Sequence, residues 1–235
     1  MRGLGMASDW SAPIDAYCER VDASFWSEPV NALSNAAFLV AAALALAHWR
    51  RAGSADRPAL YLIIVVAIVG TGSFLFHTFA NRWSRLADVL PIALFIYGYF
   101  FFSMRRLLGF GPAAAIALAL GFAAFSFGFE RAFVLAFGQR GLELTNYSVG
   151  YFPAALALMA VGVALIGSSQ SRRRDAGSAL LLAAGLFIVS LIFRTMDQAI
   201  CAALAARDSL HLARPQCRGA LYPDRRGDSV PGRGA

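Results

Sequence analysis

Six long apolar runs dominate the pattern of hydrophobic and polar positions along the chain. At about 1.5 Å per helical residue, each run is long enough to cross a hydrocarbon core of about 30 Å. Because lipid offers backbone groups no hydrogen-bond partner, runs of this length are expected to be helical. The predicted spans are Ala32 to Trp49, Ala59 to Ala80, Leu86 to Met104, Phe110 to Phe129, Tyr147 to Gly167 and Ala176 to Phe193.

The composition supports the same class, since 58% of the residues are hydrophobic and only 15% are charged. Such values are typical of a polytopic membrane protein. We therefore predict an all-α membrane helix bundle with the lipid bilayer as its surroundings. Residues 1–206 are predicted to form one transmembrane domain that begins with an acidic segment, 1–31, and residues 207–235 to form a disordered tail rich in Arg, Pro and Gly. No cleaved signal peptide is expected, so the first helix should direct insertion.

Arginine supplies all of the positive charge behind the formal net charge of +7, because the chain contains no lysine. Three short connections between predicted spans carry arginine clusters, and the positive-inside rule places these connections in the cytoplasm. The N-terminus and the connection near residue 81 then lie on the outer side. We interpret the arginines as topology determinants, so no nucleic-acid partner is expected. The clustered residues are Arg50, Arg51, Arg57, Arg105, Arg106, Arg172, Arg173 and Arg174.

Three polar residues interrupt the apolar pattern of the second and third spans. Ser73 and His77 are four residues apart and share one helix face, and Asp88 returns to the same depth from the next helix. Ionisable groups at membrane depth are unfavourable and often functional. Taken singly, each has a plainer explanation: the serine bonding a carbonyl one turn back, the histidine packing, and the aspartate complementing a helix dipole. Their convergence favours a catalytic site.

Five carboxylates lie between Asp9 and Glu28, immediately before the first span. Carboxylate oxygens suit calcium, and Asp15, Glu19 and Glu28 are the candidate ligands. The alternative is a solvated acidic face, with Glu28 near a helix N-terminus where negative charge is favoured.

Cys18 and Cys201 both fall on the predicted outer side, where conditions are oxidising. A disulfide between them is one hypothesis, and two unpaired thiols are the other. A hydrolytic zinc site normally has three protein ligands and an open position for water. His77 is one candidate, and no second pair of ligands at helical spacing occurs in the chain.

Several short motifs together resemble the alkaline ceramidase family, which belongs to a superfamily of seven-helix membrane hydrolases that includes the adiponectin receptors. The resemblance covers about residues 14 to 204. The motifs are Tyr17-Cys-Glu19, Glu28-Pro-Val-Asn-Ala-Leu-Ser-Asn35, Gly72-Ser-Phe-Leu-Phe-His77, Asp88-x-x-Pro91 and Phe193-Arg-Thr-Met-Asp197 with Cys201.

The resemblance implies a zinc-dependent amidase that cleaves ceramide, or a similar N-acyl lipid, into sphingoid base and fatty acid. It makes His77 the first zinc ligand, Ser73 and Asp88 the active-site serine and aspartate, and Cys18 and Cys201 a disulfide pair. It also makes Glu19 and Glu28 calcium ligands. The calcium motif is altered, because the family's Asp-Trp-Cys-Glu reads Ala-Tyr-Cys-Glu here, and Asp15 stands one place before it.

The C-terminal part departs from the family after about residue 206. The family's seventh helix begins with His-x-x-x-His, which supplies the other two zinc ligands, whereas this chain continues as a polar tail with a lone His211. We predict a reading-frame shift near Arg207, because a frame moved one nucleotide forward permits His-x-x-Trp-His followed by apolar residues. An unrelated natural tail is the alternative. On either account we expect impaired zinc binding and activity.

A second functional class is a receptor-like or structural membrane protein of the same superfamily, in which the polar residues only join helices. The sequence does not specify the acyl-chain preference or the oligomeric state.

Overall fold

Helices make up most of the protein. The computed structural model describes residues 9–208, with side chains as far as residue 201, and this part contains no β-strand. We number the α-helices in chain order, and a π-helical turn, Ser103–Leu107, extends α4 while a 3-10 turn, Ser148–Tyr151, precedes α6. The helices are α1 Pro29–Ser34, α2 Ala36–Arg51, α3 Arg57–Phe79, α4 Arg82–Phe102, α5 Pro112–Leu144, α6 Phe152–Ile166 and α7 Ser171–Asp208.

Six segments of the described chain are long and apolar enough to cross a membrane, which confirms the predicted fold class. The first of them combines α1 and α2. Two helices run past the predicted ends, since α5 continues from Phe129 to Leu144 and α7 continues from Phe193 to Asp208. Polar residues begin at the predicted ends, but the helices continue beyond that point. Gly138, with a φ of 69°, interrupts α5 in this extension.

A tight turn joins α3 to α4. Ala80 ends α3 in the left-handed region, with a φ of 41°, and Asn81 caps α4 through a reciprocal capping box with Ser84. The fourth helix therefore begins earlier than the predicted Leu86. At Gly72 the two helices come so close that an added Cβ would lie 2.0 Å from the Ala87 carbonyl oxygen. This contact brings the polar faces of α3 and α4 together.

Two ends of the bundle differ in character. At the end that carries the connection between α4 and α5, which we call the opposite end, an apolar cluster joins α4, α5, α6 and α7. Its buried members are Met104, Ala115, Val161, Leu165 and Leu180.

The N-terminal segment, residues 9–28, lies across the other end, which we call the site end. The Ile14 amide donates to the Ala80 carbonyl at 2.7 Å, and Pro13 pairs with Asn81 in an isolated antiparallel bridge. A disulfide between Cys18 and Cys201 connects this segment to α7, with the two Cα atoms 5.6 Å apart. The segment is thus anchored to the α3–α4 turn and to α7.

Candidate active site

Ser73, His77 and Asp88 meet at the site end, where each is no more than 9% exposed. Ser73 and His77 lie one turn apart on α3, and Asp88 lies in the second turn of α4. The Ser73 hydroxyl donates a hydrogen bond to an Asp88 carboxylate oxygen. The close approach of the two helices at Gly72, one residue before the serine, permits this contact.

A cavity of about 420 Å³ opens beside these three residues, and all three line it. Most of its remaining wall comes from apolar and aromatic side chains of α4 to α7, including Phe95, Ile96, Phe122, Val161 and Phe187. The cavity thus has a polar end and a long apolar wall. This combination suits a ligand with a polar head and an apolar chain.

Glu28 is the hydrogen-bond partner of His77. The His77 Nδ1 atom lies 2.6 Å from Oε2 of Glu28, a side chain that is 2% exposed. Arg20 donates from Nε to the other oxygen of Glu28 at 2.5 Å. Burial alone would raise the pKa of the Glu28 carboxyl, but hydrogen bonds with His77 and Arg20 outweigh it and lower the pKa. Because Nδ1 is engaged, Nε2 is the nitrogen left for another partner.

The other two candidate calcium ligands, Glu19 and Asp15, make no hydrogen bond with Arg20 or His77 in the described part of the chain. Glu19 caps α1, since its two carboxylate oxygens accept from the backbone amides of Val30 at 2.6 Å and Asn31 at 2.9 Å. Asp15 is exposed. Glu28 precedes α1 without a side-chain capping bond, so the capping role falls to Glu19.

Arg194 is a further residue of the site, and the sequence pattern alone does not single it out as one. Its guanidinium carbon lies 5.1 Å from the ring centroid of Tyr17 and 5.5 Å from that of Tyr151, and it donates to the Tyr17 hydroxyl. All three side chains line the cavity. Burial raises the pKa of the Tyr17 phenol, so it stays a neutral acceptor for this cation. The available signal was the position of Arg194 in the Phe193-Arg-Thr-Met-Asp197 motif, directly after the last apolar run.

Asp197 itself accepts a hydrogen bond from the Cys18 amide at 2.8 Å. Polar residues of α7 therefore bind the N-terminal segment directly, beside the disulfide.

A protein-family model described as Ceramidase matches residues 11–215, most of the chain. The chain belongs to the ceramidase family. Comparisons with curated proteins and with solved structures find no match. Membership in the ceramidase family implies a hydrolase of amide bonds, and the six apolar spans fit a multi-pass membrane protein.

The metals implied by the ceramidase resemblance have an incomplete set of ligands within residues 9–201. In this part, no group of three or more His, Cys, Asp or Glu side chains is arranged to hold a metal ion. His77 is a zinc ligand candidate with Nε2 free of hydrogen bonds to described residues, but it stands without a second histidine. The described residues alone therefore do not supply the three side-chain ligands of a hydrolytic zinc site or a cluster of carboxylates for calcium. The expected frame shift near Arg207, the tail and His211 lie in or beyond the last turn of α7, where side chains are not described.

Proposed function

We propose that this member of the ceramidase family is an amidohydrolase that cleaves the amide bond of ceramide, or of a similar N-acyl lipid, into sphingoid base and fatty acid. One observation carries the proposal: Ser73, His77 and Asp88 form the polar end of an apolar cavity inside the membrane-spanning bundle. An amide carbonyl placed at that end leaves the acyl chain against apolar walls.

Asp88 is the proposed general base. Its carboxylate lies at the polar end of the cavity, where it can orient a water molecule and accept a proton as the water oxygen attacks the carbonyl carbon. When the carbon–nitrogen bond breaks, its electron pair stays on nitrogen, and the proton held by Asp88 passes to that nitrogen. The products are then a carboxylic acid and a free amine.

Ser73 changes partner in this scheme. A serine carries one hydroxyl proton, and Ser73 donates it to Asp88 in the resting arrangement. Once Asp88 is protonated, the carboxylic acid can donate to the serine oxygen instead. The Ser73 proton is then free to hydrogen-bond the oxyanion that develops on the carbonyl oxygen. The hydrogen bond between Ser73 and Asp88 thus couples proton uptake by Asp88 to stabilisation of the oxyanion by Ser73.

The proposal includes zinc dependence for two reasons. The family resemblance implies it, and His77 is a candidate zinc ligand. In such sites zinc polarises a carbonyl and lowers the pKa of water. The two further histidines that the resemblance implies would follow residue 206, where we propose that the reading frame shifts, although the family-model match runs on to residue 215. We therefore propose that the chain as its sequence stands binds zinc poorly and has impaired activity.

The distribution of arginine supports an orientation with the N-terminus and the polar end of the cavity on the outer side of the membrane. A lipid substrate could then enter from the outer leaflet with its acyl chain still in the bilayer. The bilayer and a ceramide-like lipid are the proposed partners.

An assay of lipid hydrolysis tests the proposal. The purified protein in detergent receives a ceramide with a fluorescent acyl chain, and release of the labelled fatty acid is measured with zinc present. We compare the chain as it stands with a frame-restored chain, in which codons after residue 206 are read in the forward-shifted frame. The frame-restored chain should hydrolyse the lipid, and Asp88→Asn in it should lower kcat by about 10²-fold or more.

Asp56→Asn is the matched control, because Asp56 lies at the other end of α3, and this change should leave kcat unaltered. Hydrolysis at an unchanged rate in the Asp88→Asn variant would contradict the assigned role. A frame-restored chain that binds ceramide without cleaving it would favour the receptor-like alternative.

A further inference from the structure

An arginine occupies the centre of the acidic segment. Besides Glu28, Arg20 contacts two backbone carbonyl oxygens: Nη1 donates to that of Asp22 at 3.1 Å, and Nη2 donates to that of His77 at 3.1 Å. One guanidinium thus joins a carboxylate, the N-terminal segment and the last turn of α3.

These acceptors are of the kind that a calcium ion collects, since carboxylate and backbone carbonyl oxygens are its usual ligands. In this chain, the planar guanidinium reaches all three with separate N–H groups. Both oxygens of Glu28 are engaged, one by Arg20 and one by His77. A calcium ion bound by Glu28 would have to displace the arginine.

The burial of the pair supports a fixed role for the arginine. The Arg20 side chain is 7% exposed and the Glu28 side chain 2%. Removing one partner of a buried ion pair is strongly destabilising, because an uncompensated charge is left behind. Two other carboxylates are committed elsewhere, Glu19 to the α1 backbone and Asp22 to the Ser24 amide at 2.9 Å. Asp15 is exposed and close enough to Arg20 and Glu28 for their charges to act on it.

We propose that the Arg20 guanidinium is the built-in cation of the site end and that it takes the place of a bound calcium ion. Arg20 is a positioning residue: it fixes Glu28, and Glu28 fixes His77. The chain therefore keeps its site end ordered without calcium. This inference concerns cation binding and stability, and it holds whether or not the protein hydrolyses amides.

Calcium uptake by the purified full-length chain tests the proposal. After desalting, the protein in detergent is dialysed against radioactive calcium at about millimolar concentration, in the weak range of extracellular calcium sites, and its thermal unfolding is followed with and without calcium. We expect no stoichiometric uptake and no rise in Tm. Uptake of a calcium ion per chain, or a calcium-dependent rise of several degrees, would overturn the proposal.

Variants separate the arginine's role from general charge effects. Arg20→Gln should lower Tm by about 5 °C or more, because a buried pair is broken in a chain of this size. Arg20→Lys keeps the charge, so it should lower Tm by less than Arg20→Gln does. Arg82→Gln is the control, since Arg82 is exposed at the same end, and it should change Tm little. An Arg20→Gln variant as stable as the parent would refute the assignment.

Discussion

The two ends of the bundle are held together by different forces. At the opposite end, α4 to α7 pack through the apolar cluster around Leu165, and clustered arginines lie in the nearby connections. At the site end, polar contacts join residues far apart in sequence, such as Cys18 with Asp197 and Arg20 with His77. Inside a bilayer, apolar burial drives helix association weakly, so close packing and polar contacts matter more.

This difference shows where the protein places its buried ionisable groups: within residues 9–201, Glu28, His77 and Asp88 all lie at the site end. The N-terminal segment covers the ends of α3 and α4 and supplies Glu28 and Arg20 as partners for His77. Without that segment, the histidine would lose its hydrogen-bond partner at Nδ1. The opposite end needs no such cover because its interior is apolar. Four substitutions test this difference between the two ends.

Loss of the disulfide should have the largest effect on stability, and it should act at the site end. Cys201→Ser opens a covalent link between residues 183 positions apart. We expect the free energy of unfolding to fall by about 2–4 kcal/mol, measured by chemical denaturation in detergent. A non-reducing gel should show a mobility shift on reduction for the parent and for Cys217→Ser, but not for Cys201→Ser. A parent chain without any shift would argue against the bridge.

The close approach of α3 and α4 at Gly72 should be the next most sensitive feature. A Cβ there would lie 2.0 Å from the Ala87 carbonyl oxygen, so Gly72→Ala must separate α3 from α4 and strain the Ser73 to Asp88 contact. We expect a loss of about 1–3 kcal/mol in thermal or chemical unfolding.

Gly162→Ala gives the matching test for the opposite end. There the Cβ would lie 2.8 Å from the Leu181 side chain and 3.3 Å from the Gly177 carbonyl oxygen, so the backbone contact is looser than at Gly72 and the loss should be smaller. Gly128→Ala is the control, because its Cβ would meet nothing within 4 Å. Equal losses at Gly72 and Gly128 would show that the helix contact at the site is not tight.

Removal of the cap at the start of α3 should have the smallest effect. Asp56 accepts from the Ala59 amide and pairs with Arg106, and these hydrogen bonds lower the pKa of its carboxyl below the usual 3.8. Asp56→Ala should reduce stability by about 0.5–2 kcal/mol. Because the folded-state pKa is depressed, this stability is present above pH 3.8 and disappears as the pH falls through the folded value. The difference between parent and variant should therefore shrink in acid. A stability difference between parent and variant that grows in acid would contradict the expected direction of the pH dependence.

The apolar pattern was sufficient to predict the fold, because a lipid core imposes helical structure on each long run. All six predicted spans are present, and they differ from the prediction only in where they begin and end. Helix ends are harder to predict, as α5 and α7 show, because a helix can continue through charged residues once it leaves the apolar region. The left-handed Ala80 and the Asn81 cap show the same limit at a turn.

The sequence also predicted that Ser73, His77 and Asp88 lie close together, because helical spacing and a short connection determine which helix faces meet. It could not reveal Arg20 and Arg194 as their neighbours. Arg20 looks like one charge within an acidic segment and Arg194 like an ordinary flanking arginine. Their contacts depend on where an irregular segment folds back across the bundle. Contacts of that kind follow from no periodic pattern.

The zinc content of two purified proteins tests most directly the claim that the described residues supply only half of a hydrolytic site. Elemental mass spectrometry compares the chain as its sequence stands with the frame-restored chain. We predict about one zinc ion per frame-restored chain, lost on His77→Ala, and little zinc in the chain as it stands. Equal zinc content in the two proteins would contradict the account.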